Sequence, residues 1–358
     1  MPATVTTEPG TAAGRSWGER LLTLAARARA IVGDALGVVR HRVELLRRHP
    51  EATAHSAEDR ARATATAATP NRRVARVLSG VVAGLMAAAS AAGLWWAGLY
   101  RDPAPVVALL RGYDLVALLV AVPVLVGALV RACRGSARAE LLAACALAYA
   151  VYHYAIYVFG TAFNALFLVH VALLGLAAVA LVLALRSLDA RGLAARFGPR
   201  TPVRWASGLL AFLAVALGGM WTYYALRFAA TGAPPAESKL VLPMSAVHLG
   251  YALDLLLLVP GYATASVLLW RRAPWGYVLA IVLLGSGVGS QLDYMTALPF
   301  QVAAGVPGAT PLDPAELFIA TAMAAGAAAL LAGLRPTAAP TADPGPHRGP
   351  AMSLGTRP

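Results

Sequence analysis

Asp114, Tyr152, His153, Tyr157, Asn164, His170, Arg227, His248, Asp254 and Asp293 lie within or at the edge of long apolar runs. Holding a charge at the centre of a bilayer costs about 2.5–3.5 kcal/mol on insertion scales, so groups retained there usually face a bundle interior and mark candidate functional sites. Three chemistries could use this set. The aspartates could bind and release protons or a cation, with Pro123 and Pro260 breaking the helices beside them. Histidines with carboxylates could hold a transition metal, with His153, His170 and His248 as candidates, or two histidines on facing helices could hold a haem; no close ligand spacing such as H-x-x-x-H marks such a site. The third use is structural pairing without turnover, with Arg227 neutralising Asp254 or Asp293, and tyrosines joining Trp95, Trp96 and Trp221 in an interfacial aromatic belt.

Other catalytic signatures are missing. Gly80-x-x-x-Gly84 and the run Gly285-Ser286-Gly287-Val288-Gly289 permit close helix approach, but neither precedes the Lys-Ser or Lys-Thr of a nucleotide loop. The H-E-x-x-H and G-x-S-x-G motifs do not occur. Cys133 and Cys145 fall toward the side expected to be cytoplasmic, where thiols stay reduced.

The elements that must position these residues follow from composition. The 358 residues are 59% hydrophobic and 13% charged, with a mean hydropathy of +0.64, whereas about a quarter of an ordinary soluble domain is charged. This excludes soluble, disordered and disulfide-scaffold classes and leaves an all-α polytopic membrane protein. A hydrocarbon core of about 30 Å takes roughly 20 apolar residues as a helix. Eight such stretches run over about 77–99, 113–131, 139–159, 163–185, 204–226, 246–269, 275–298 and 315–334. A short turn around Gly160 makes the third and fourth an antiparallel hairpin.

Of the 30 basic residues all but Lys239 are arginine, and only Arg101, Arg111, Arg227 and Lys239 fall on one side when the spans alternate. Basic loops stay cytoplasmic, so both termini are expected inside, in a bacterial plasma membrane. The positive charge is spread over loops rather than gathered in a basic domain, so no nucleic-acid partner is expected. With this orientation the titratable cluster falls in the extracytoplasmic half, and His153 and His170 sit about 10 Å deep by helical rise.

Residues 1–72 read as a cytoplasmic region with an amphipathic helix over about 17–48. Leu21, Ala25, Ala28, Val32, Leu36, Val39, Val43 and Leu46 form its apolar stripe, and arginines cover its other faces. It could lie on an anionic leaflet or dock a cytoplasmic partner, or it could simply pack on the membrane domain or form a weak dimer coil. Segments 1–16, 52–71 and 336–358 read as disordered.

The two halves also echo each other, as a four-helix unit over 73–200 and a second over 201–335. Arg76-Val-Leu-Ser79-Gly80 corresponds to Arg204-Trp-Ala-Ser207-Gly208. Tyr113-Asp114 ahead of Pro123 corresponds to Leu253-Asp254 ahead of Pro260, and Leu141-Leu142-Ala143 to Val278-Leu279-Ala280. Two parallel repeats around an axis along the membrane normal are expected. The stretch YHYAIYVFGTAFNALFLVH from Tyr152 to His170, with GYDLVALLVAVP from Gly112, LDLLLLVP from Leu253 and RRAPWGYVLA from Arg271, resembles a group of uncharacterised bacterial multi-pass membrane proteins. The resemblance covers about half the chain and implies the membrane architecture but no activity.

The leading functional expectation is transport or sensing of a small solute or ion through a polar pocket that faces outward. A non-catalytic membrane scaffold recruiting a partner through the N-terminal helix competes with it, and a metal- or haem-dependent membrane enzyme is third. Neither catalysis nor a cofactor is expected.

Overall fold

The computed structural model describes Ala25, residues 50–235 and residues 239–335. The expected amphipathic helix at 17–48 and the segments 1–16 and 336–358 lie outside the described residues, Ala25 apart. The chain divides into two units, Met1–Ala67 and Ala68–Pro358.

Among the described residues there are eight helices long and apolar enough to cross a membrane. They are Asn71–Trp95, Ala104–Cys133, Ala137–Phe159, Phe167–Arg186, Val203–Thr231, Ala246–Trp270, Pro274–Ala303 and Pro314–Gly333, called spans one to eight. The fold is all-α and polytopic. Span one belongs to a longer helix, Pro50–Trp95, so residues 52–71 are helical and not disordered. Their composition explains the difference: the stretch is rich in alanine, and a good helix former needs no packed face to outweigh a scatter of threonines.

Spans two and six each contain one wide turn, Ala117–Ala121 and Asp254–Leu258, in which the amide of Val122 bonds back to Ala117 and that of Val259 to Asp254. Pro123 and Pro260 follow immediately. A proline ring clashes with the carbonyl four residues back and cannot donate, and an i to i−5 turn absorbs both problems without breaking the helix. Helices of equal length follow, Val122–Cys133 and Val259–Trp270, and the next spans begin at Ala137 and Pro274. The two stretches therefore correspond without a gap, and the register differs from the expected one. Ala117 matches Asp254, so Asp114 has Tyr251, not Asp254, as its counterpart. Proline position, which the wide turn fixes, outweighs the likeness of two Asp-containing dipeptides.

Spans three and seven form the middle of the bundle. One apolar cluster joins spans one to four with Ala297 and Leu298 of span seven. A second joins spans five to eight with Leu141, Ala144 and Cys145 of span three. Small residues permit this contact where they face a neighbour. A Cβ at Gly112 would stand 2.8 Å from Ala297 Cα, and one at Gly289 would stand 2.5 Å from the Tyr149 ring. Gly80 and Gly84 have open space instead, so that pair is no packing motif. Spans three and four pack as neighbours, joined by 160–166 and not by a tight turn at Gly160.

At the end where spans one and four meet the 134–136 turn, arginines fasten the helices. Arg72 and Arg76 reach Glu140 at 3.5 and 3.4 Å, and Arg76 also donates to the carbonyl of Ala132 at 2.9 Å. Gly112→Ala should separate spans two and seven and cost about 1–3 kcal/mol, the usual penalty for overpacking. Thermal unfolding of purified protein in detergent measures the loss, and Gly80→Ala should leave the midpoint unchanged.

Candidate functional site

Span three carries Tyr149, His153 and Tyr157 at steps of four residues, which places them on one face, with Tyr152 beside them. These four side chains meet three carboxylates, each on a different helix. Tyr157 donates to Asp114 of span two at 3.0 Å, and Tyr100, in the loop before that span, donates to its other oxygen at 2.6 Å. Tyr152 donates to Asp254 of span six at 2.7 Å, and the Trp221 indole of span five reaches the second oxygen at 2.9 Å. Tyr149 donates to Asp293 of span seven at 2.8 Å, and His153 Nδ1 lies 2.9 Å from the second oxygen of the same carboxylate. One helix thus gathers three acids.

The carboxylates are 2%, 8% and 3% exposed for Asp114, Asp254 and Asp293, and His153 is 0% exposed. No arginine or lysine among the described residues pairs with any of them. The donors are phenols, an indole and an imidazole, and they seal the acids instead of leaving an open pocket. Tyr100 lies outside the spans; burial first, then the adjacent Asp114, pushes its phenol well above the usual range, so it stays a donor. Counted from the ends of their helices, the three acids lie about 12–15 Å from the same end of the bundle, given 1.5 Å per residue. Aromatic rings surround His153, with Tyr157 stacked at 4.9 Å and Tyr149 and Tyr113 tilted at 5.0 and 5.9 Å between centroids.

Six of the ten expected residues come together here: Asp114, Tyr152, His153, Tyr157, Asp254 and Asp293. His170 is buried at the start of span four, its ring 4.9 Å from that of Tyr157, and no hydrogen bond joins it to the carboxylates. Asn164 is used locally, its amide donating to the carbonyl of Ala162 and its oxygen capping the amide of Leu166 in the 160–166 loop. His248 is exposed on span six. Arg227 forms no ion pair with Asp254, whose oxygens are taken by Tyr152 and Trp221, or with Asp293, whose oxygens are taken by Tyr149 and His153. Among the described residues no three His, Cys, Asp or Glu side chains converge as a metal site would require.

Tyr100 and Tyr149 escaped the sequence reading. The four-residue spacing of Tyr149 to His153 and Tyr157 was the available signal, while nothing local joins Tyr100 to Asp114. No protein-family model, curated protein or solved structure matches the chain. Two substitutions separate the strengths of these contacts. Asp293→Leu leaves His153 and Tyr149 buried without their acceptor and should cost about 3–5 kcal/mol. Tyr157→Phe leaves Asp114 one donor short and should cost about 1–3 kcal/mol, both read from thermal unfolding in detergent.

Proposed function

We propose that the chain takes up and releases a proton or a small cation at the Asp114, Asp254 and Asp293 cluster, as part of transporting or sensing a small solute or ion across a bacterial plasma membrane. One observation carries this reading. Three carboxylates sit at membrane depth, and every partner that meets them is a neutral donor or an imidazole. A carboxylate kept only for packing is normally matched by a fixed cation, because an uncompensated buried charge is costly. Donors without permanent charge leave the compensating charge exchangeable. Imidazole and carboxylate in contact can share a proton between His153 and Asp293, and arrival of a cation or proton at the neighbouring acids alters that balance.

The wide turns at Ala117–Ala121 and Asp254–Leu258 support a moving part, since such turns gather at functional positions and loosen a helix without breaking it. They flank two of the three acids. The loop arginines support an orientation in which both termini are cytoplasmic and the acids lie nearer the outer face. Ligand-driven exchange would then open the sealed cluster to that side.

Trp221 gives the test, because its indole donates directly to Asp254. Purified protein in detergent should show a fluorescence change on titration with acid, sodium or potassium salts that is missing in Trp221→Phe. Infrared difference spectra between acidic and alkaline buffer should contain a carboxyl carbonyl band that Asp114→Asn, Asp254→Asn and Asp293→Asn each diminish, while Glu140→Gln preserves it. Spectra in which the three variants match the unsubstituted protein would remove the acids from any exchange.

A further inference from the structure

A second polar arrangement lies toward the opposite end of the bundle, away from the aspartates, buried between spans five and six. Ser207 donates to the carbonyl of Ser266 at 2.7 Å, and Ser266 returns the bond to the carbonyl of Ser207 at 2.9 Å. The reciprocal pair clamps the helices together. Beside the clamp runs a groove of about 320 Å³ lined by Ser207, Gly208, Ala211, Val267, Trp270 and Arg271, at the lower end of the usual range for ligand sites of about 300–1,000 Å³. A Cβ at Gly208 would meet nothing within 4 Å, so the floor is open.

The groove changes character along its length. Its floor is small and apolar, whereas its end carries Arg271, and Arg204 lies one turn before Gly208 on the same helix face. Both guanidinium groups are exposed, and neither takes part in an ion pair among the described residues. Trp270 is 61% and Trp205 48% exposed, the placing of aromatic anchors at a membrane interface. Apolar floor, indole collar and unpaired cations in that order match an amphiphile with an acyl chain and an anionic head.

We propose that this groove binds one anionic glycerophospholipid, its acyl chain over Gly208 and Ala211 and its phosphate at Arg271 and Arg204. Lipid is the occupant because the groove opens sideways into hydrocarbon and its charges stand where head groups lie. The inference does not depend on proton or cation exchange at the aspartates.

Native mass spectrometry of the full chain, released from detergent containing equal phosphatidylglycerol and phosphatidylcholine, tests it. The protein should retain one phosphatidylglycerol in preference to phosphatidylcholine. Arg271→Gln should cut that preference about fivefold, the effect of one basic side chain at an anionic surface. Gly208→Leu fills the floor and should abolish retention of both lipids, with thermal unfolding confirming that each variant is folded. Equal retention of the two lipids by the unsubstituted protein overturns the proposal, as does undiminished retention by folded Gly208→Leu. Asp293→Asn should keep the bound lipid, so loss of exchange at the acids and loss of this site are read separately.

Discussion

A carboxylate inside hydrocarbon has no water to hydrogen-bond, and every oxygen must find a donor in the protein. Much of this bundle follows from meeting that requirement three times with one helix. Span three turns Tyr149, Tyr152, His153 and Tyr157 toward acids on spans seven, six and two. Any displacement of span three disturbs all three acids together. It is accordingly the most enclosed of the spans, and much of the rest of its buried surface is alanine and leucine.

The glycines and wide turns answer the same requirement from the opposite direction. An acid on span seven can be reached from span three only if the backbones approach closely. Gly289 makes room for the Tyr149 ring, and Gly112 lets span two rest on Ala297. The wide turns then carry spans two and six past Pro123 and Pro260 without releasing the acids beside them. Glu140 with Arg72 and Arg76 ties the other end of span three, so the helix is held at both ends by polar contacts and along its length by dispersion.

What the sequence could tell was set by the range of each signal. Hydropathy sums over twenty residues, and for that reason eight spans and their approximate limits were readable; the Asn71 start of span one and the helix ahead of it were not, because their alanines lack an apolar face. Asp114, Asp254 and Asp293 were conspicuous as charges in apolar runs. Their donors were harder to recognise. Tyr100 and Tyr149 look like any aromatic residues near an interface, and Trp221 read equally well as part of the belt, since pairing of a phenol or indole with an acid on another helix leaves no local trace. Arg227 was the obvious partner by charge and the wrong one by geometry, because Tyr152 and Trp221 fill the positions around Asp254, and Tyr149 and His153 those around Asp293.

The internal correspondence of the halves does not extend to these contacts. Asp254 occupies the place of Ala117, and Asp114 that of Tyr251, so the two wide turns carry their acids at different heights. Tyr251 stacks on Trp221 with 3.9 Å between centroids, and Trp221 in turn holds Asp254. Where one half places an acid, the other places an aromatic ring that helps hold an acid a turn away. Matching backbones therefore do not make matching sites. In place of two equivalent sites, the bundle sets Asp114 between two phenols, Asp254 between a phenol and an indole, and Asp293 between a phenol and an imidazole around a single helix.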